Sequence, residues 1–397
     1  MTKPVQIARI VTRLGVGGVE RHVFSLTANL DREKFNSWLI CGRAEKTERE
    51  CLEFAAEAGV KPIFVERMRR NLGPWDVLAS FELGRILESI KPQIVETHQS
   101  KAGAIGRAVV SLQSRRRARR PYLIHTFHCH HFEGYFKSAT ARAFIGIERY
   151  LARVTDAIIT VTPTLKRQLV EQYRIADSGK VKVVPLGFDF TWTSQLPRHR
   201  GWLRKRLGVS DSTTLYGFVG RLTKIKNASL LLRAFSKVMR NSGMDARLVV
   251  VGDGELSQSL KQLVCELGIS DYVLFCGWVL DQAKIFSDLD VTCLSSYNEG
   301  SPVCLIESLA SGIPVIATRV GGVSDIVTDG EDGELVESDD EDAYAAAMTR
   351  AAERRRAISA GRTAEVRNYY STARLVKDTE KIYSEVLDTG RARERAN

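Results

Sequence analysis

Residues 214–252, TLYGFVGRLTKIKNASLLLRAFSKVMRNSGMDARLVVVG, hold one complete strand–helix–strand unit. TLYGFVG is a short apolar run closed by glycine, a helix is expected from about Asn227, and ARLVVVG repeats the first pattern. Such units imply parallel strands joined by right-handed crossovers, with ligands outside the carboxyl ends of the strands. The same alternation runs outward in both directions. Upstream it reads IARIVTRL, a helix from Gly18 to Leu30, WLICG, a helix through ECLEFAAEAG, PQIVETH, AGAIGRAVVSL, YLIHTFH, a helix over 140–154, DAIITVT, a helix from Thr164, and VKVVPLG. Downstream come a helix from Glu255, YVLFCG, DVTCLSS, a helix opening at SPVCLIESLA, IPVIAT, GELV and helices to the end.

The pattern pauses once, at the polar segment FDFTWTSQLPRHRGW. That pause predicts two doubly wound α/β domains, 1–190 and 191–371, with a cleft between them as the default place for a ligand. A last helix, about 372–388, is expected to pack back on the first domain. A chain of 397 residues suits two cores better than one.

With 44% hydrophobic and 26% charged residues the composition is that of a globular protein. No run of about 18 apolar residues or signal-peptide pattern occurs, which predicts a cytoplasmic protein. The seven cysteines are scattered and never form a C-x-x-C pair, which argues against disulfides and a structural zinc site. The net charge of +11 is concentrated in residues 1–190, where 31 Lys and Arg face 19 Asp and Glu. Its densest runs, RMRR (67–70) and SRRRARR (114–120), lack the stacking aromatics or module of a nucleic-acid binder. A solvated basic face or contact with an anionic membrane surface are the two readings left.

The chemistry is concentrated in NEGSPVCLIESLASGIPVIA, 298–317. A glutamate, Glu307, sits among apolar helix residues, and Glu299 stands in the loop before them. A buried carboxylate is costly unless it is paired. Ser301 reads as the N-cap, Pro302 as the first helical residue and Gly312 as the stop, so free N–H groups suited to phosphate lie at the helix start. Glu307 shares a face with Val303 one turn in, where it could accept hydrogen bonds from a diol or pair with a buried arginine.

E-G-S-P-x4-E, followed by S-G-I-P-V-I-A-T and G-G-V-S-D-I-V-x-D-G-x-D-G, resembles the signature of the retaining glycosyltransferases of family four, which have the GT-B fold, and in particular their polysaccharide-building members. The resemblance implies that Glu299 contacts a donor sugar and Glu307 the ribose, with Gly300, Ser301, Pro302 and Val303 holding sugar and β-phosphate. It implies that Arg221 and Lys226 of GFVGRLTKIKN bind the donor diphosphate, a charge role that needs no metal. Gly252 of VVVGDGEL and Trp278 and Val279 of FCGWVLD complete the donor set. In the first half, GVGGVERHV resembles the glycine-rich first loop, placing Gly17 and Gly18 near donor phosphates or the acceptor. ETHQSKAGAIGR makes His98 and Lys101 acceptor-side candidates.

IHTFHCHHFEGYF resembles the T-x-H-G-x-x-F pattern, whose histidine, here His128, reaches the reacting centre; Cys129 replaces the usual glycine. Its four histidines also invite a metal reading. On a strand, however, His128 and His130 share one face and His125 and His131 the other, so three do not converge without a turn, and no metal or other cofactor is expected. The catalytic set is thus His128, Glu299, Arg221 and Lys226. The implied partners are a nucleotide diphosphate sugar, UDP-linked by family habit, and a lipid-linked or saccharide acceptor. A nucleotide-sugar 2-epimerase of the same fold and a non-catalytic sugar-nucleotide binder are the competing readings; transfer, epimerisation of donor alone, or binding without turnover would separate them.

Overall fold

The computed structural model describes residues 3–14, 17–42, 55–56, 59–69, 71–114, 120–129, 138–354 and 357–396. Two α/β units result. The first holds the chain up to Phe188 and again from Tyr370; the second runs from Asp189 to Tyr369.

The first unit is built on seven parallel strands: β1 Val5–Val11, β2 Phe35–Gly42, β3 Ile63–Val65, β4 Ile94–His98, β5 Tyr122–Phe127, β6 Ala157–Thr160 and β7 Val181–Val183. Their order is β3-β2-β1-β4-β5-β6-β7, so the winding reverses between β1 and β4. Residues of the central strands are buried on both faces, which is why they read as unbroken apolar runs. The register sets Arg9 opposite Glu96. Both are fully buried, and Arg9 Nε donates to Glu96 Oε2 at 3.1 Å. The remaining Arg9 donors go to Thr27 Oγ1, Ser37 Oγ and Tyr383 Oη.

Tyr383 belongs to the last helix, Thr372–Ala396, which packs on the first unit through Leu375, Ile382 and Tyr383 against Ile7, Phe35, Ile94 and Ile124. Phe188 N–H donates to Tyr370 O at 2.7 Å and Thr372 N–H to Phe188 O at 3.1 Å, so the chain leaves the first unit and rejoins it at one place. Gly187 permits this, because a Cβ there would lie 2.4 Å from that of Leu375.

Two elements here escaped the sequence reading: edge strand β3, only three residues long, and the helix Trp75–Ile90. The helix through ECLEFAAEAG and the basic residues 115–119 lie outside the described residues, apart from Ala55, Ala56 and Gly59 of the former.

The second unit has six parallel strands, β8 Thr214–Val219, β9 Ala246–Val251, β10 Val273–Gly277, β11 Val291–Leu294, β12 Val315–Thr318 and β13 Gly333–Val336. They are ordered β10-β9-β8-β11-β12-β13. This is the dinucleotide-fold order, with its reversal between β8 and β11. The helix Ala228–Ser242 packs Leu231, Phe235 and Val238 on one face of the sheet. The loops after β8 and β11 flank the reversal, and they carry GRLTKIK and YNEGSP.

Candidate active site

In the second unit the two loops are laced together. Tyr297 N–H donates to Ile225 O at 2.8 Å, and Ser295 Oγ to the carbonyls of Lys226 and Asn227 at 3.2 and 2.9 Å. The lacing brings Lys226 Nζ to 2.5 Å from Glu299 Oε1, which also accepts from Ser296 Oγ at 2.6 Å. Burial alone would lower the Lys226 ammonium; the Glu299 carboxylate outweighs it and holds the pKa above its ordinary value. The resting protein thus pairs Lys226 with Glu299.

The helix that follows is Val303–Ala310. Its N-cap is Pro302, not Ser301: Pro302 is extended (ψ 109°), and its carbonyl accepts from Leu305 and Ile306. The amides of Val303 and Cys304 precede these bonds and form the open, electropositive end. Ser301 Oγ caps nothing; it is a buried hydroxyl with no partner among the described residues, beside that end. Gly312 follows the C-cap Ser311 with φ +81°, a glycine stop. Glu307 is 4% exposed. Burial raises the Cys304 thiol to about 12, with Lys226, Glu299 and Glu307 all within electrostatic range of it. Cys304 therefore stays a neutral S–H between the three charges.

Arg221 is exposed and has no side-chain partner among the described residues, leaving its guanidinium open to a ligand. Gly252 takes φ +127°, and a Cβ there would stand 2.0 Å from Gly220 O, so it holds the backbone just ahead of Arg221. Trp278 is 40% exposed just past β10, and Val279 packs on the cluster around Leu203 and Phe286.

One positioning residue was not singled out from sequence. Gly321 has φ +51°, and a Cβ would lie 1.9 Å from Glu299 O, whose carbonyl accepts from Gly322 N–H. Gly321→Ala is expected to cost about 1–3 kcal/mol of stability and displace the Glu299 loop. Turnover should drop at least about 10-fold at temperatures where circular dichroism shows the variant folded. Wild-type turnover in a folded variant would refute the role.

The first unit holds a second constellation at its own winding reversal. His22 of helix Gly18–Asn29 and His98 at the end of β4 are buried, and His128 just beyond β5 is partly so. His98 Nδ1 and His128 Nε2 are 3.0 Å apart, and one nitrogen from each of the three rings falls within 4.8 Å of the others. The expectation that three histidines do not converge weighed only those of the β5 segment. The third comes from another helix, inside the run read as a glycine loop.

Burial pushes His22 down to about 3, helped by His98. Burial, His22 and His98 together put His128 well below the usual imidazole value. Behind His98 stands Glu96, with Oε1 3.5 Å from His98 Nε2. Burial would raise the Glu96 carboxyl, but His98 and Arg9 hold it well below the carboxylate range. A His98 tautomer with its proton on Nε2 would face that carboxylate and leave Nδ1 to accept from His128 Nε2.

The remaining first-unit candidates divide. Lys101 Nζ is 2.6 Å from both Asp76 Oδ1 and Asn71 O and 9% exposed, so in the resting protein it is paired with the helix Trp75–Ile90. The glycines of KAGAIGR serve packing: Cβ atoms at Gly103 and Gly106 would meet His125 at 2.4 Å and Thr97 at 2.7 Å. Arg107 of the same motif is paired with Glu148 at 2.7 Å. Gly17 is the N-cap of the first helix at φ −168°, an extended conformation open to any residue, with Gly18 next to it. His130 and His131 lie outside the described residues.

Comparison with known proteins gives the family. Residues 16–192 match the model described as Glycosyltransferase Family 4, and residues 202–370 that of Glycosyl transferases group 1. The chain therefore belongs to the family 4 glycosyltransferases, and it is an enzyme of the hexosyltransferase class with the GT-B fold. Over 87% of its length and 87% of the relative's, it is 28% identical to the UDP-Gal:alpha-D-GlcNAc-diphosphoundecaprenol alpha-1,3-galactosyltransferase of Escherichia coli. It is 36% identical to a D-inositol 3-phosphate glycosyltransferase of Stackebrandtia nassauensis across 55% of this chain and 51% of that one. Among solved structures, Anabaena Alr3699/HepE in complex with UDP and glucose superposes with a TM-score of 0.79 at 17% identity, covering 96% and 99% of the two chains.

Proposed function

We propose that the enzyme transfers a hexose, with retention and without a metal, from a UDP-sugar to a hydroxyl of a lipid-linked saccharide in surface-polysaccharide assembly. The observation that carries the donor half is the reversal between β8 and β11. There an open helix end, the unpartnered Ser301 hydroxyl, the Lys226–Glu299 pair and the open Arg221 occupy two laced loops. Diphosphate is the ligand class that suits free amides plus two cations. Glu299 then serves the sugar, and Glu307, one turn deeper, the ribose hydroxyls. Trp278, Val279 and Gly252 border the base and phosphate. As the bond to the sugar breaks, Arg221, Lys226 and the helix end neutralise the leaving diphosphate. That diphosphate takes the acceptor proton on the face from which it departs.

The relatives' names support both halves: UDP accompanies the Anabaena structure, and the Escherichia coli relative acts on a diphosphoundecaprenol-linked sugar. His98 and His128 are assigned to the acceptor side. A thermal-shift panel of nucleoside diphosphates should single out UDP, with about 2.7 kcal/mol of stabilisation at a hundredfold excess over Kd. Transfer should persist in EDTA. A panel in which no diphosphate moves the melting temperature discards the donor site, and epimerisation of donor alone would favour the competing enzyme class.

No helix among the described residues is long and apolar enough to cross a membrane. A peripheral mode is supported by Val77, Leu78 and Phe81, which share a face of helix Trp75–Ile90 and are 61%, 46% and 69% exposed. Leu72 is exposed too, and Arg69 stacks on Trp75 at the helix start. Apolar side chains beside cations fit an anionic lipid surface. The double variant Val77→Ser/Phe81→Ser should lose most co-flotation with anionic vesicles, and unchanged flotation would end the membrane reading.

A further inference from the structure

The histidine cluster of the first unit has a feature that the acceptor role leaves unused. His22 is 2% exposed, and its Nδ1 has no hydrogen-bond partner among the described residues. A buried ring nitrogen without a partner is costly, and such atoms in native structures mark a bound water or ion. Around it the three rings approach edge to face or tilted, with centroids 5.0, 5.3 and 5.7 Å apart, each ring delivered by a different element.

We infer that His22, His98 and His128 form a binding site for a divalent transition metal of the zinc class. Three imidazoles without a carboxylate among them select zinc, cobalt or nickel over magnesium or calcium. A tetrahedral ion with bonds of about 2.0–2.1 Å sets its ligand nitrogens roughly 3.4 Å apart. His98 Nδ1 and His128 Nε2 already stand at 3.0 Å, and the set closes from 4.8 Å by small ring rotations. Glu96, 3.5 Å behind His98, supplies the carboxylate that commonly orients a metal-bound histidine.

The binding step balances simply. The hexaaqua ion gives up five waters as three ring nitrogens bind, and the one water it keeps holds the fourth position of the tetrahedron. His128 moves its proton from Nε2 to Nδ1, so no net proton is released. A filled site also withdraws the hydrogen-bonding atoms of His98 and His128. If those two serve the acceptor, as proposed above, zinc inhibits transfer; that consequence rests on the acceptor reading, whereas the binding does not.

The test uses the full chain, stripped with EDTA and dialysed. Calorimetric titration with zinc should give one ion per chain, and cobalt should produce the visible absorption of a four-coordinate nitrogen site. His22→Asn and His128→Asn should each weaken zinc binding at least about 10-fold, while His199→Ala in the second unit leaves it unchanged. Melting curves of the two variants establish that each is folded, and either one suffices if the other is not. Absence of stoichiometric binding, or binding that both variants retain, overturns the site and leaves a trapped water as the partner of His22. Binding at wild-type strength with no loss of transfer keeps the site and removes His98 and His128 from the acceptor role.

Discussion

Lys226→Ala is expected to lower kcat/KM for sugar transfer by about 10²–10³-fold, the usual loss when one preorganised charge partner of a developing anion is removed. The resting ion pair makes the reasoning specific. Lys226 Nζ is 2.5 Å from Glu299 Oε1 before any ligand arrives, so its resting position is set by the protein. A donor phosphate would share or take over that ammonium, and Ser296 Oγ, 2.6 Å from the same carboxylate oxygen, would keep Glu299 in place. Glu299→Gln, which retains the Ser296 contact, should therefore cost less in UDP affinity than Lys226→Ala. Thermal shift with UDP separates binding from turnover. An alanine variant that is folded, binds UDP as wild type does and turns over normally would remove Lys226 from the mechanism.

The second large effect is on stability. Glu96→Ala should destabilise the first unit by about 3–5 kcal/mol, because it leaves the fully buried Arg9 guanidinium without its carboxylate. The loss also strands the hydroxyls of Tyr383 and Thr126, both of which donate to Glu96. At roughly 2–4 °C per kcal/mol the melting temperature should fall by about 6–20 °C. The double replacement Arg9→Met/Glu96→Leu should cost less than Glu96→Ala alone, since it removes both charges and keeps the volume. A single variant that melts within about a degree of wild type would show that Arg9 finds water or another partner.

The two strand–helix alternations were legible because a parallel sheet buried on both faces writes itself as apolar runs with glycine stops. Edge strand β3 has only three residues and too little pattern to detect. The two loops proposed for the donor were also legible, because each carries its own motif at one winding reversal. What the linear text hides is convergence between distant segments. His22 was passed over because GVGGVERHV was read for its glycines, and the sheet alone brings it beside His98 and His128. The Lys101–Asp76 pair could not be foreseen, because Asp76 sits on a helix that went unrecognised. Ser301 had the right residue type for a cap, but the extended Pro302 moved the cap one residue on and left the hydroxyl for another purpose.

The backbone meeting of Phe188 with Tyr370 and Thr372 has a genetic corollary. Everything between those points is an insert whose two ends emerge side by side, so it can be cut out and the gap spliced with a few residues. The spliced remainder keeps all seven strands and the closing helix that seals Arg9 and Glu96, and it should be expressible as an independent polypeptide bearing the three histidines.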